Sequence, residues 1–204
     1  MTYTPALAAK LSGATPYQLN KWRTKGLLVP EVSPARPPVY SYRDLVALRA
    51  MVFIRAKTSA QRLRAAWGKL DMVAVADHPS AYSFGTDGRG IFVRLPDGTV
   101  LDLIEKPGHL LSEYTFEELF EEFENFRGQR VADLRRPARS LSIHPRTLGG
   151  YPVVEGTRVP FDTIAQLVDG DDVTTEDIPD MFPRVSARAA HDAVEFARSL
   201  EEAV

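Results

Sequence analysis

Two Thr-Pro dipeptides, Thr4-Pro5 and Thr15-Pro16, stand on either side of Gly13. Proline is already set near the helical φ and has no N–H to lose in a first helical turn, while a threonine hydroxyl ahead of it can accept an orphan helix N–H. The pattern therefore starts two helices in quick succession, with Gly13 turning the chain between them. Helices this short are stable only if they pack on something. Leu7 and Leu11 share one face of the first, and Leu19 and Trp22, three apart on the second, can meet it. Trp22 is thereby assigned to the core. The second helix reads Tyr17 to Lys25, stops at Gly26, and carries Gln18, Lys21 and Lys25 on another side, projecting outward. Two short helices, a glycine turn and a polar, basic second helix make a helix-turn-helix candidate.

The chain continues through Leu27-Leu28-Val29-Pro30 into a proline-rich loop, Ser33 to Pro38, that contains Arg36. Val39-Tyr40-Ser41-Tyr42 is a short extended piece, so the loop is expected to form a β-wing. A third helix is expected from about Ser41 through Arg43, Leu45, Leu48 and Val52. A fourth, Ala60 to Leu70, is capped by Thr58 or Ser59, with Arg62 and Arg64 outside and Leu63, Ala66 and Trp67 inside. The most apolar stretch, Leu45 to Ile54, is broken by Arg49 and is about half the ~20 residues that span a bilayer. The N-terminus lacks a basic region followed by an apolar core, so neither a membrane span nor a signal peptide is expected, and the chain is expected in the cytoplasm.

Charge is distributed unevenly. The formal net charge of −2 is the sum of +10 over residues 1–70, −5 over 71–140 and −7 over 141–204. A basic head on an acidic remainder suggests a nucleic-acid-binding module fused to something else, although a small basic domain can simply be soluble. The chain has no cysteine, which excludes zinc ribbons, thiol nucleophiles and redox pairs. Its four histidines, His78, His109, His144 and His191, show no metal-ligand spacing, so no metal or cofactor is expected.

In residues 71–140, Ile91–Leu95 and Thr99–Ile104 flank Pro96-Asp97-Gly98 and predict a β-hairpin. Gly85, Gly88 and Gly90 read as a turn feeding it. Thr115-Phe116-Glu117-Glu118 has the form of a capping box. It predicts an amphipathic helix with a stripe of Phe116, Leu119, Phe120, Phe123 and Phe126 opposite Glu117, Glu118, Glu121, Glu122 and Glu124. Those acids read as a solvated face rather than as catalytic carboxylates, and the stripe as core or dimer surface. Arg127, Arg130, Arg135, Arg136 and Arg139, with Gly128 and Pro137, read as a basic hinge.

The most distinctive local sequence is Gly149-Gly150-Tyr151-Pro152-Val153-Val154-Glu155-Gly156-Thr157-Arg158-Val159-Pro160. Turns at Gly149-Gly150 and Glu155-Gly156 surround a short apolar pair. Pro160 suits the start of a helix through Ile164 and Leu167. Thr174-Thr175-Glu176-Asp177 has the form of a capping box before a short second helix, and Ser186 caps a last one with Ala190, Val194, Ala197 and Leu200 aligned. Arg158 has two readings: it holds the turn through backbone carbonyls, or it offers a guanidinium to a partner's carboxylates.

The first 70 residues resemble the winged helix-turn-helix domain of the MerR family. The likeness rests on Leu7-Ala8-Ala9-Lys10-Leu11-Ser12-Gly13, Thr15-Pro16 through Gly26-Leu27-Leu28, and Tyr40-Ser41-Tyr42-Arg43-Asp44-Leu45. It implies DNA contacts from Tyr17, Gln18, Asn20, Lys21, Arg23 and Lys25, with Arg36 and Tyr40 on the wing and Arg43 behind it. The long dimerisation helix and cysteines of many such regulators are missing, which speaks against metal sensing. Residues 141–200 resemble a small domain of unknown function found in many VapB-like antitoxins, through the Gly-x-Pro-Val-Val-x-Gly-Thr-Arg-Val-Pro core, with His144 where an aspartate is usual. Together the two resemblances imply an α+β chain in three parts. These are a DNA-binding head over 1–70, a hairpin, amphipathic helix and linker over 71–140, and a small three-helix domain over 141–204. They imply a homodimeric antitoxin, not an enzyme, that represses its own operator and neutralises a PIN-like ribonuclease through Glu155, Thr157 and Arg158. The alternative is a stand-alone MerR-like regulator whose C-terminal part senses a ligand or protein.

Overall fold

The computed structural model describes residues 1–73, 83–86, 91–95, 98–103, 117–170 and 172–201. Helices α1 (Pro5–Ser12) and α2 (Pro16–Thr24) start where the Thr-Pro pairs place them: the Thr4 hydroxyl accepts from the Leu7 N–H and that of Thr15 from the Gln18 N–H. Gly13 sits at φ 77° between them, and a Cβ there would run into Val131, so this position needs glycine for conformation and for space. Ser41 caps α3 (Tyr42–Lys57), and Asp44 completes a capping box. The buried Asp44 carboxylate accepts from the Ser41 N–H (2.8 Å) and the Glu31 N–H (3.1 Å), pinning the chain that enters the helix. In α4 (Ala60–Val73), Ser59 caps the start, Leu63 and Ala66 are buried, and Arg62 and Arg64 are exposed; the Trp67 side chain lies outside the described residues.

An antiparallel sheet follows in the order β1 (Ser83–Thr86), β2 (Ile91–Arg94), β3 (Val100–Asp102). Val93 pairs with Phe84 on one side and Leu101 on the other. Gly85 belongs to β1, while Gly88, Gly90, Pro96, Asp97, His78 and His109 lie outside the described residues.

The expected amphipathic helix does not form in its described part; Thr115 and Phe116 lie outside that part. The chain makes a short 3-10 turn, Glu117–Leu119, and then a two-residue strand, β4 (Phe123–Glu124), paired with β5 (Arg130–Val131). Two competitors displace the helix. The Arg49 guanidinium takes the Leu119, Phe120 and Glu121 carbonyls, two of them at 2.7 Å, which helix N–H groups would otherwise use. The Asn125 side chain accepts from the Arg127 and Gln129 N–H groups, closing a turn with Gly128 at φ 71°. The phenylalanine stripe is split as a result. Phe123 meets Phe53 edge-on at 5.2 Å, and the exposed Phe126 lies under Arg55. The expected hinge is packed too: Val131 and Leu134 are buried, Arg130 pairs with Glu122, and Arg135 lies over Phe120.

Strands β6 (Leu141–Ser142) and β7 (Val153–Val154) pair antiparallel, followed by α5 (Phe161–Val168), α6 (Ile178–Met181) and α7 (Ala187–Glu201). The Asp177 carboxylate accepts from the Thr174 hydroxyl and N–H, which holds its pKa below the usual range and closes a turn ahead of α6. Tyr3 bridges to Tyr40 through both backbone bonds, and its hydroxyl donates to the Gly150 carbonyl. Rings at Tyr3, Tyr151, Phe161 and Phe196 then follow one another at 5.0–5.8 Å into α7. Most of the buried apolar side chains form one cluster from Tyr3 to Phe196. The chain is thus mixed helix and small antiparallel sheets, α+β in class. Among the described residues no helix is long and apolar enough to cross a membrane.

Two substitutions test this packing. Arg49→Met orphans buried carbonyls and should lower stability by about 3 kcal/mol or more. Gly150→Ala meets both a positive φ of 86° and the Tyr42 ring, and should cost about 2 kcal/mol or more. Urea unfolding midpoints measure both, and wild-type midpoints would show the packing to be wrongly described.

Candidate functional site

Leu19 and Trp22 face α2 inward and are buried, so the rest of that helix is set against solvent. Its polar residues do not all remain available. The Gln18 side chain accepts from the Thr15 N–H (2.9 Å) as the second half of a capping box. Arg23 donates to the Pro34 carbonyl (2.9 Å) and the Asn20 side chain (3.0 Å), with its Nε buried and unpartnered. Gln18, Asn20 and Arg23 therefore hold α2 and tie it to the following loop. Tyr17 is 69% exposed, with the Lys21 ammonium 5.3 Å from its ring centroid; Lys21 and Lys25 are also exposed.

The loop is closed by an antiparallel bridge between Ser33 and Val39, leaving Arg36 exposed at its far end. Tyr40 is a correction. It is only 1% exposed, its backbone pairs with Tyr3, and burial pushes its hydroxyl pKa up against the opposing Arg23 charge. A side chain so enclosed is a core residue and cannot reach a duplex. Arg43 is half exposed and lies 3.6 Å from Glu31. The structure thus leaves Tyr17, Lys21, Lys25 and Arg36 at the surface, keeps Asn20 and Arg43 exposed but engaged with Arg23 and Glu31, half-buries Gln18 and Arg23, and buries Tyr40.

In the C-terminal segment the three candidates divide by role. Gly156 takes φ 74°. The Thr157 hydroxyl donates to the Val154 carbonyl (2.8 Å) and accepts from the Val159 N–H (3.0 Å), which locks the turn. Glu155 pairs with Arg136 at 3.3 Å. Arg158 is exposed and has no hydrogen-bond or ion-pair partner among the described residues. The role of holding the turn through a carbonyl belongs to Arg184, which donates to Gly156 (2.6 Å). Nothing local in the sequence pointed to Arg184, which is 28 residues away. Arg49 was legible only as an interruption of an apolar run. Among the described residues no group of three His, Cys, Asp or Glu side chains is placed to hold a metal.

Residues 141–197 match a family model described as a protein of unknown function, DUF433. No curated protein matches the chain. Among solved structures, the crystal structure of Rv2018 from Mycobacterium tuberculosis is similar over 94% of this chain and 96% of that one, with a TM-score of 0.51 at 16% identity. At that identity the likeness is one of fold.

The division within the Gly-Thr-Arg turn can be measured. Thr157→Val should lower stability by about 1 kcal/mol, whereas Arg158→Ala should stay within about 0.5 kcal/mol of wild type. A reversed order in urea melts would show that Arg158 carries the turn.

Proposed function

We propose that this chain is an antitoxin that both represses its own operon and neutralises a PIN-like ribonuclease. The observation that carries the DNA half is α2, whose buried Leu19 and Trp22 leave Tyr17, Lys21 and Lys25 outward beside a loop tipped by Arg36. In this reading α1 and α2 form the helix-turn-helix, α2 enters the major groove, and the 33–39 loop is the wing on the phosphate backbone. Arg23 positions the wing instead of reading bases. The inhibitory half rests on the C-terminal likeness and on Arg158, an unpaired guanidinium on a locked turn, suited to bidentate capture of the acidic cluster that binds metal in such a ribonuclease. The chain acts by binding and is not itself an enzyme. It works in the cytoplasm, and as a homodimer if its operator is palindromic.

A second reading has one observation in its favour. A groove of about 430 Å³ lies between α3 and the later segments, lined by Tyr42, Arg43, Phe120, Arg135 and His144. A stand-alone regulator could take a small anion there.

Co-expression with the product of the neighbouring reading frame separates the two. The antitoxin reading expects co-purification and relief of growth arrest, and fails if neither occurs. Arg158→Ala should abolish that relief while leaving operator binding intact. Lys21→Ala with Lys25→Ala should do the opposite in a gel shift, weakening operator binding and flattening its salt dependence by about two phosphates' worth. Unchanged DNA affinity would sink the role of α2.

A further inference from the structure

The turn joining β4 and β5 was expected to be part of a hinge, and it is instead fixed against the start of α2. The Asn125 side chain, 6% exposed, donates to the Gly13 carbonyl (3.3 Å) and to the Gln129 side chain (3.2 Å). Val131 packs where Gly13 has no Cβ. The two elements enclose a groove of about 320 Å³, whose lining includes Lys10, Thr15, Pro16, Arg127, Gln129 and Arg130. Arg130 is paired with Glu122. The lining contains no carboxylate, and neither Lys10 nor Arg127 has a side-chain partner among the described residues. Two cations with no side-chain partner among the described residues thus line one groove beside the first turn of α2, Lys10 from α1 and Arg127 from the β4–β5 turn.

We propose that this groove seats a backbone phosphate of duplex DNA, with Lys10 and Arg127 as its ligands, so that the β4–β5 turn is a second arm of the DNA interface. The inference rests on the reading of α2 as the groove-entering helix and adds to it a contact from beyond residue 70. A phosphate is the occupant that the wall's chemistry selects. The cations can neutralise it, it requires no base-specific donor pattern, and a duplex presents one at regular intervals to any element beside a helix in its major groove. Arg127 therefore contributes affinity and orientation, not sequence preference.

The test uses the full chain and fluorescence anisotropy. One labelled duplex carries the region upstream of the chain's own coding sequence, and a second is an unrelated duplex of equal length. Arg127→Ala should weaken binding to both by a similar factor, about tenfold, and reduce the salt slope by about one. Lys10→Ala should behave likewise, and Arg127→Lys should keep most of the affinity and the slope. Both side chains are exposed, and unchanged thermal melts would exclude misfolding. If Arg127→Ala and Lys10→Ala bind as wild type does while Lys21→Ala does not, the α2 reading stands and the second arm is refuted. A loss confined to the upstream duplex also refutes it, because a phosphate ligand cannot discriminate sequence. A wild-type chain that binds neither duplex overturns both.

Discussion

The guanidinium of Arg49 is the interaction on which the rest depends. It is fully buried in α3 and donates to carbonyls of Leu11, Leu119, Glu121 and Ala132, each at 2.7 Å, with Phe120 at 3.5 Å and the Phe123 ring 5.0 Å away. Desolvation works against a charge so placed and lowers its pKa to about 10, yet this leaves it protonated at neutral pH. Charge-assisted bonds to several acceptors offset the desolvation cost. The acceptors come from α1, from the segment before β4 and from the residue after β5. One side chain therefore joins three stretches of backbone that have no regular secondary structure in common. An apolar residue of equal volume would fill the space and leave the carbonyls unsatisfied.

This internal use of cations changes the meaning of the basic head. A formal +10 over residues 1–70 suggests a broad positive surface. Much of that charge is engaged within the molecule. Arg49 is buried, Arg23 holds the 33–39 loop, Arg43 faces Glu31, Arg55 donates to the Thr58 carbonyl, and Lys57 pairs with Glu118. What remains outward on α1, α2 and the loop is a narrower set: Lys10, Lys21, Lys25 and Arg36. Long-range steering follows net charge, whereas docking follows the side chains that are free to move to a phosphate.

The parts legible in the sequence are those decided within one helical turn. The Thr-Pro starts, the start of the third helix near Ser41 and the inward pairing of Leu19 and Trp22 all depend on neighbours three or four residues away, and all are present. The parts that were not legible depend on distant partners. The phenylalanine stripe has helical spacing, but Arg49 and Asn125 compete for the backbone groups that a helix needs. Tyr40 looked like a wing residue, and its pairing with Tyr3 places it in the core. Gln18 and Arg23 have the chemistry of base readers, and local geometry commits both to holding α2 in place. A polar side chain's type says what it can bond to; only the fold says whether that capacity is already used.

The Gly-Thr-Arg turn shows the converse case, in which a dense local pattern leaves one side chain over. Gly156 accepts the positive φ, Thr157 spends its hydroxyl on both sides of the turn, Glu155 is paired, and Arg184 arrives from the loop before α7 to hold the Gly156 carbonyl. Those bonds hold the turn without Arg158, which is exposed and has no hydrogen-bond or ion-pair partner among the described residues. A lysine would present the same charge as a compact ammonium, whereas the planar guanidinium offers paired donors for bidentate bonding from a backbone that the turn already holds. The entropy of ordering the turn is spent on folding, before any partner arrives, which is the condition under which a single exposed side chain can contribute most to binding.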